Sequence, residues 1–479
     1  IEQTSEAPEM TATDQTIDSS ALASAVKGAV YRPGDERFAD EIACFNLTTT
    51  HRPALAVAAT CTDDVAAAVR FAAERDLPVA VQATGHGAVT AVDAGVLIST
   101  KAMTSVTVDP RERTATVGAG AKWKAVVEAA AAHGLAPLNG SSSDVGVVGY
   151  IVGGGLPLMG RTYGFAADHV QRMTVVTADG VVREVSPSSE TDLFWGLRGG
   201  KGNLGIVTEI TVDLVPVSRL YGGGIFFPGE HAPQLLRAYR DWITGLDEQT
   251  NTSIALLRLP PVPDIPEPLR GQFVVHLRVV HLGDAATGER LVAPMRAVAP
   301  AIVDLVGEMP YTAIDSVHQD PDHPVPAHER GMLLSSLDDA VIDHLLAVAG
   351  PDVQTPVMVV EVRHLGGALS RQPAIPNAVD HRDAAFVLEA IGVLMGPVAE
   401  IAAAATDAVV ASFARFSTQP GGATFVNFHG QPGDAADRAR CWKPPTHARL
   451  RELKATYDPK NLLRYGHAIS AAVPAPREG

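Results

Sequence analysis

The chain has 479 residues, 46% hydrophobic and 19% charged, with a formal net charge of −16 from 38 basic and 54 acidic side chains. That length exceeds one ordinary hydrophobic core and implies two domains. An acidic balance without a basic block repels phosphate backbones and excludes nucleic acid as a partner. Three scattered cysteines, Cys44, Cys61 and Cys441, are too few for a disulfide framework or a structural zinc site. Apolar runs fall short of the roughly 18 residues a membrane span needs.

Residues 1–25 read as a disordered or non-native tail, rich in Thr, Ser, Glu and Asp. Thr62 reads as a helix N-cap, with Asp63 and Asp64 in the first turn and Val65, Val69 and Ala72 on one face. Leu77 to Ala83 reads as a buried strand running into Thr84-Gly85-His86-Gly87. Glycines on both sides of a histidine permit a tight turn whose amides form a nest for phosphate or pyrophosphate. His86 at its edge is exposed enough to react. Val96 to Ser99, Ser105 to Val108 and Arg113 to Val117 read as strands, and Lys122 to His133 as a helix closed at Gly134. The first third is therefore α+β or α/β.

Gly140 to Gly164 is the most unusual stretch. Gly146, Gly149, Gly153, Gly154 and Gly155 are set among Val, Ile and Leu, a composition poor for helix or strand. It points to a planar ligand lying against bare main chain. The spacing matches neither the dinucleotide fingerprint nor the triphosphate loop, which disfavours nicotinamide and nucleotide triphosphatase readings. Met173 to Thr177 and Val181 to Val185 flank Asp179-Gly180 as a hairpin. A further glycine cluster precedes a half-buried strand from Ile206 to Leu214, and Val215-Pro216 marks a boundary. Beyond it, strands at Gln272 to Val280 and Val357 to Val362 alternate with helices at Ala384 to Leu394 and Val398 to Phe413, a sheet backed by helices. His318, His323 and His328 sit in a Pro-rich acidic loop without the rigid frame that coordination needs, so no metal is expected. Leu450 begins a basic helix that leads into Tyr457-Asp-Pro-Lys-Asn-Leu-Leu-Arg464.

Four blocks in order resemble one family: Thr84-Gly-His86-Gly; Val145 to Gly155 with Tyr163-Gly164; Asp192 to Gly200 continuing through Asn203 to Thr208; and Tyr457 to Arg464. The chain resembles the berberine-bridge-enzyme-like branch of the vanillyl-alcohol oxidase and p-cresol methylhydroxylase superfamily. The resemblance implies an α+β, two-domain fold of the p-cresol methylhydroxylase type. An FAD-binding domain would span 26–216 as two α+β subdomains. A substrate domain of antiparallel sheet backed by helices would span 217–428, and 429–479 would return to the FAD domain. It implies FAD joined through His86 to its 8α-methyl, with the pyrophosphate on Gln82, Ala83, Thr84, Gly85, Gly87 and Ala88. The ring would lie on Gly146, Gly149, Tyr150, Gly153 and Gly154, and Ser142, Tyr163, Gly164, Gly205, Ile206, Val207 and Tyr465 would complete the cofactor site.

Departures from the family pattern shape the rest. Bicovalent members carry a second link through a cysteine where Ser142 stands, and a serine hydroxyl is a poor nucleophile without activation; a single bond through His86 is expected. Where many bacterial members have Tyr-x-Asn-Tyr/Phe, whose tyrosine takes a substrate proton, this chain has Phe425-Val-Asn427-Phe428. Replacement bases are Glu389, Glu361, His364 and His381, with Arg363 as an anion partner and Asn427 retained as a site residue. Gly466 and His467 stand where the family often has asparagine. The implied activity is an FAD-dependent oxidase passing hydride from a secondary metabolite, sugar or amine to flavin, and then electrons to oxygen with release of hydrogen peroxide. The alternatives are a cyclase without net oxidation, a hydroquinone oxidase, or a binder that sequesters an aromatic compound. A cytoplasmic monomer or homodimer is expected.

Overall fold

Three sheets organise the protein, whose structure is a computed structural model describing residues 17–472. The first is mixed and four-stranded, in the order Ala29–Tyr31, Leu55–Ala58, Val96–Ser99, Val79–Gln82. Its last three strands are parallel, joined by the right-spaced crossover helix Thr62–Glu74. Cys61, not Thr62, takes the N-cap position, and Thr62 Oγ1 instead bonds Thr208 Oγ1 at 2.9 Å. Asp64 is buried and binds the amides of Lys27, Gly28 and Thr60, so it braces the chain's entry rather than the helix dipole.

The second sheet is five-stranded and antiparallel: Val106–Asp109, Thr114–Gly118, Ile206–Asp213, Val170–Val176, Val182–Val185. The hairpin at Asp179-Gly180 is as expected, with Gly180 at φ 72°. Ile206–Asp213 is buried on both faces rather than one, because its residues join two separate apolar cores. The glycine-dense stretch contains two short helices, Val147–Ile151 and Gly160–Tyr163. Neighbouring packing stabilises them against poor intrinsic propensity.

From Arg219 onward an eight-stranded antiparallel sheet begins, its central order Arg219–Pro228, Phe273–His281, Thr250–Arg258, Val357–His364, Phe386–Val393, Ala327–Leu334. Helices Ala232–Ile243, Ala285–Arg296, Asp339–Ala349 and Ala399–Ala411 cover one face through an apolar core. The expected helix at Ala384 to Leu394 is a strand. Its β-branched and aromatic residues pair with strands on both edges, and those ladders override the helical spacing.

The expected tail is corrected at residues 20–25, which form a helix with Leu22 in the first core; residues 1–16 lie outside the described residues. The membrane expectation needs a correction too. Gly396–Phe416 is 21 residues long and, by length and composition only, long and apolar enough to cross a membrane. Here it packs along Phe386–Val393 and Ala327–Leu334.

Candidate active site

The edge strand Val79–Gln82 delivers the chain to the His86 turn. Gly85 adopts φ 76°, and a Cβ there would press on Cys44. The turn is pinned by the amides of Phe45 and Asn46, which donate to the carbonyls of Thr84 and Gly85. The His86 ring stacks on Phe45, with centroids 3.7 Å apart. Its Nδ1 shares a hydrogen bond with Thr84 Oγ1 at 2.9 Å, while the buried Nε2 has no partner among the described residues. Burial holds the imidazole pKa down at about 4, so the ring is neutral at pH 7, the state a nucleophile requires. Gln82 faces the other way: its amide donates to Ala43 O at 2.9 Å and its carbonyl meets His51 Nε2 at 2.8 Å. Its side chain is a brace for residues 42–51.

The glycines fall into two groups. A Cβ on Gly149 would meet nothing within 4 Å, one on Gly146 would lie 3.6 Å from Thr84, and one on Gly87 would lie 3.9 Å from Lys201 Nζ. Main chain at Gly149 is bare, and at Gly87 and Gly146 a side chain would make only ordinary contacts. Gly153, Gly154 and Gly155 are instead crowded by Asn427, Val379 and Tyr150. Their lack of side chains serves protein packing, so the expectation that a ligand approaches the whole run is corrected to its first part. Tyr150 turns its ring inward, edge-on to Trp123, and offers its carbonyl to Asn427 Nδ2 at 2.8 Å.

Other expected cofactor residues have local duties. Ser142 Oγ accepts from the amide of Asp144, while its neighbour Ser143 donates to Asp315 at 2.5 Å. The Tyr163 carbonyl meets His169 Nε2 at 2.8 Å, and Gly164 turns beside Asp168 at φ 90°. Gly205 packs on Val175, ahead of Ile206 and Val207 in the second sheet. Tyr465 Oη donates to Asp93 at the rim of the first sheet.

Opposite these uncrowded glycines stands the uncovered face of the large sheet. Glu361 and Glu389 are direct cross-strand partners, which places two carboxylates side by side. Arg363 Nη2 lies 3.0 Å from Glu361 and 3.1 Å from Glu389, and its guanidinium covers the Phe428 ring. Arg278 and His318 reach Glu361 from the other side, at 2.8 and 3.3 Å. Burial raises the Glu361 pKa, but the two arginines outweigh it and keep it ionised. Glu389 has less help: burial, with Glu329 and Glu361 nearby, pushes it up to about 8 against the pull of Arg363. Asn427 Oδ1 accepts from Lys201 Nζ at 2.5 Å, and Lys201 also donates to Gly149 O. Burial lowers the Lys201 pKa to about 8.

Glu389, Arg363, Glu361 and Asn427 are thus brought together, but the two histidines are not bases here. Arg161 Nη1 donates to His364 Nε2 at 3.1 Å, and burial with that cation depresses His364 to about 3. His381 Nε2 is engaged by Arg440 O. Sequence reasoning missed Lys201, Glu329 and Arg278. A lysine at φ 60° interrupting Gly199-Gly200-Lys201-Gly202 was the available signal; the other two emerge only from strand register.

A neutral unpartnered imidazole, uncrowded backbone at three glycines and a cation between them fit a flavin dinucleotide. Comparisons agree. Residues 53–186 match the family described as FAD binding domain. The (R)-6-hydroxynicotine oxidase of Paenarthrobacter nicotinovorans is 26% identical over 462 residues, covering 93% of this chain and 97% of its own. Among solved structures, 6-hydroxy-D-nicotine oxidase from Arthrobacter nicotinovorans superposes with a TM-score of 0.82 at 24% identity, covering 93% of this chain and 98% of its own. Glucooligosaccharide oxidase from Acremonium strictum, which carries a 6-S-cysteinyl, 8α-N1-histidyl FAD, gives 0.80 at 20% identity over 94% of this chain and 98% of its own. Residues 53–186 are an FAD binding domain, and the chain that contains them is an FAD-linked oxidoreductase with the two-domain fold of the p-cresol methylhydroxylase type.

Proposed function

We propose that the protein is an FAD-dependent oxidase of the berberine-bridge-enzyme-like branch, its flavin held by one covalent bond to His86 and its substrate a small organic molecule. The observation that carries this reading is the neutral His86 ring, with a free nitrogen, together with uncrowded Gly87, Gly146 and Gly149. FAD held there would supply a two-electron acceptor for hydride from a substrate C–H, with oxygen as the final acceptor giving hydrogen peroxide. Glu389 takes the accompanying proton, a role suited to a carboxylate raised toward neutrality. Arg363 fixes that carboxylate, and Asn427 with Lys201 joins the glycine floor to the sheet. The Acremonium relative's cysteinyl link has no counterpart at Ser142, which supports a single bond.

Acid precipitation followed by peptide mapping tests the linkage. Colour stays with the peptide holding His86, and His86→Ala releases it to the supernatant; colour released from the unaltered protein ends the reading. Phe425, packed edge-on to Phe165 and unable to accept a proton, favours a second reading, cyclisation without net oxidation. Anaerobic mixing with substrate separates them, since an oxidase bleaches its flavin and a cyclase converts substrate while remaining yellow.

A further inference from the structure

Where the charged face of the large sheet meets Leu156–Leu158, a pocket opens to solvent. Leu156, Leu158, Val317, Leu365 and Leu369 form its apolar wall. Its polar lining is unusual. Asn251 Nδ2, Ser253 Oγ, Arg278 Nη1, His318 Nδ1, Arg363 Nε and His364 Nδ1 all belong to residues lining this one space, and each is a buried atom without a hydrogen-bond partner among the described residues. Buried polar atoms are normally satisfied, and one left unmet carries its full desolvation cost. Such a concentration marks a place that a ligand completes.

The direction of each group follows from its other contacts. Asn251 Oδ1 accepts from the amide of Arg161 at 2.7 Å, so its NH2 group is the end left over. Arginine only donates, so the bond from Arg161 to His364 Nε2 leaves the neutral ring's proton on Nδ1, a donor. His318 Nε2 donates to ionised Glu361, leaving His318 Nδ1 as the one obligate acceptor. Arg278 Nη1 is 2.8 Å from Glu361, yet its N–H bonds are not aimed at that carboxylate. Four donors and a hydroxyl of either sense are therefore left over, with a single acceptor, on the residues that line the pocket.

We infer that this cavity recognises the carboxylate of an organic acid whose apolar or aromatic body rests on the leucine wall, and that this acid is the substrate. Only the word substrate rests on the oxidase reading; the recognition chemistry stands on the cavity itself. Charge supports it. Arg278 and Arg363 share ionised Glu361, and Glu389, the other partner of Arg363, holds its proton below about 8. Two guanidiniums thus stand against one paired carboxylate anion.

Titration calorimetry on the purified protein tests this with benzoate, phenylacetate and trans-cinnamate against neutral benzamide and cationic benzylamine. At least one acid is expected to bind, with benzamide and benzylamine at least tenfold weaker. Arg278→Gln should weaken that acid at least tenfold while benzamide changes less than twofold. Should Arg278→Gln fail to fold, Ser253→Ala, which removes one hydroxyl, is expected to weaken the acid about threefold and leave benzamide unchanged. Failure of all three acids to bind, equal binding of acid and amide, or indifference of the acid to these substitutions overturns the inference. Visible absorbance of the same samples separates the two readings. Acid binding to a colourless protein keeps the cavity's chemistry and ends the flavin reading, whereas a yellow protein that prefers benzylamine does the reverse.

Discussion

The two walls of the site are built by opposite means. The cofactor side is made of backbone: glycines at 85, 87, 146 and 149, one neutral imidazole and few charges. The sheet side is made of long charged side chains, Glu361 and Glu389 paired with Arg278 and Arg363, with Glu329 nearby. A backbone wall gives shape, since main chain cannot retreat from a flat ligand. A charged wall gives proton affinity and polarity, since small changes in pairing move a buried pKa by large amounts.

The sharpest way to break that comparison is to disarm the charged wall. Glu389→Gln is expected to lower turnover by about 10²–10⁴, the range for losing a general base, with flavin content unchanged in the visible spectrum. In the unaltered protein, turnover should rise with pH through about 8, because the protonated carboxyl cannot accept a proton.

A structural control lies outside both walls. Lys454 and Asp458 are fully buried and paired at 2.6 Å. Lys454→Met strands the carboxylate and should cost about 3–5 kcal/mol of stability, read by urea unfolding.

Two glycine substitutions then sharpen the split within the backbone wall. Gly153→Ala drives a methyl into Asn427 and should cost about 1–3 kcal/mol. Gly149→Ala meets no protein atom and should leave apoprotein stability within about 0.5 kcal/mol while reducing flavin retention. Equal effects of the two on stability would erase the distinction.

The smallest expected effect is on pH dependence, where the walls have opposite slopes. His86 is depressed to about 4, so its share of stability is complete above its unfolded value near 6.5 and is lost as pH falls toward 4. Glu389 is raised to about 8, so its share is complete below its unfolded value near 4.5 and is lost as pH rises toward 8. Melting temperatures of apoprotein His86→Ala and Glu389→Gln should flatten the acid and alkaline sides respectively.

The backbone wall was legible in the sequence because glycine chemistry is local. The turn at His86 and the glycine-dense stretch stand out wherever they are read, although only packing divides bare Gly149 from crowded Gly153. The charged wall was legible in pieces. Glu361-x-Arg363 alternates as one face of a strand should, but Glu389 was placed on a helix, and its pairing with Glu361 comes from a register that no local pattern encodes. Lys201 escaped because its burial depends on Asn427, 226 positions away. His364 looked like a base until Arg161 was seen to hold its nitrogen.

The buried lysine near the carboxyl end has a temporal consequence. Lys454 clasps Asn203 O and Leu463 O together with Asp458, and Leu462 O accepts the amide of Val79, at the start of the strand that feeds the His86 turn. Synthesis must therefore run almost to completion before that strand gains its last neighbour. A chain stopped after residue 440 should purify colourless, because it lacks the segment that braces the strand leading to the His86 turn.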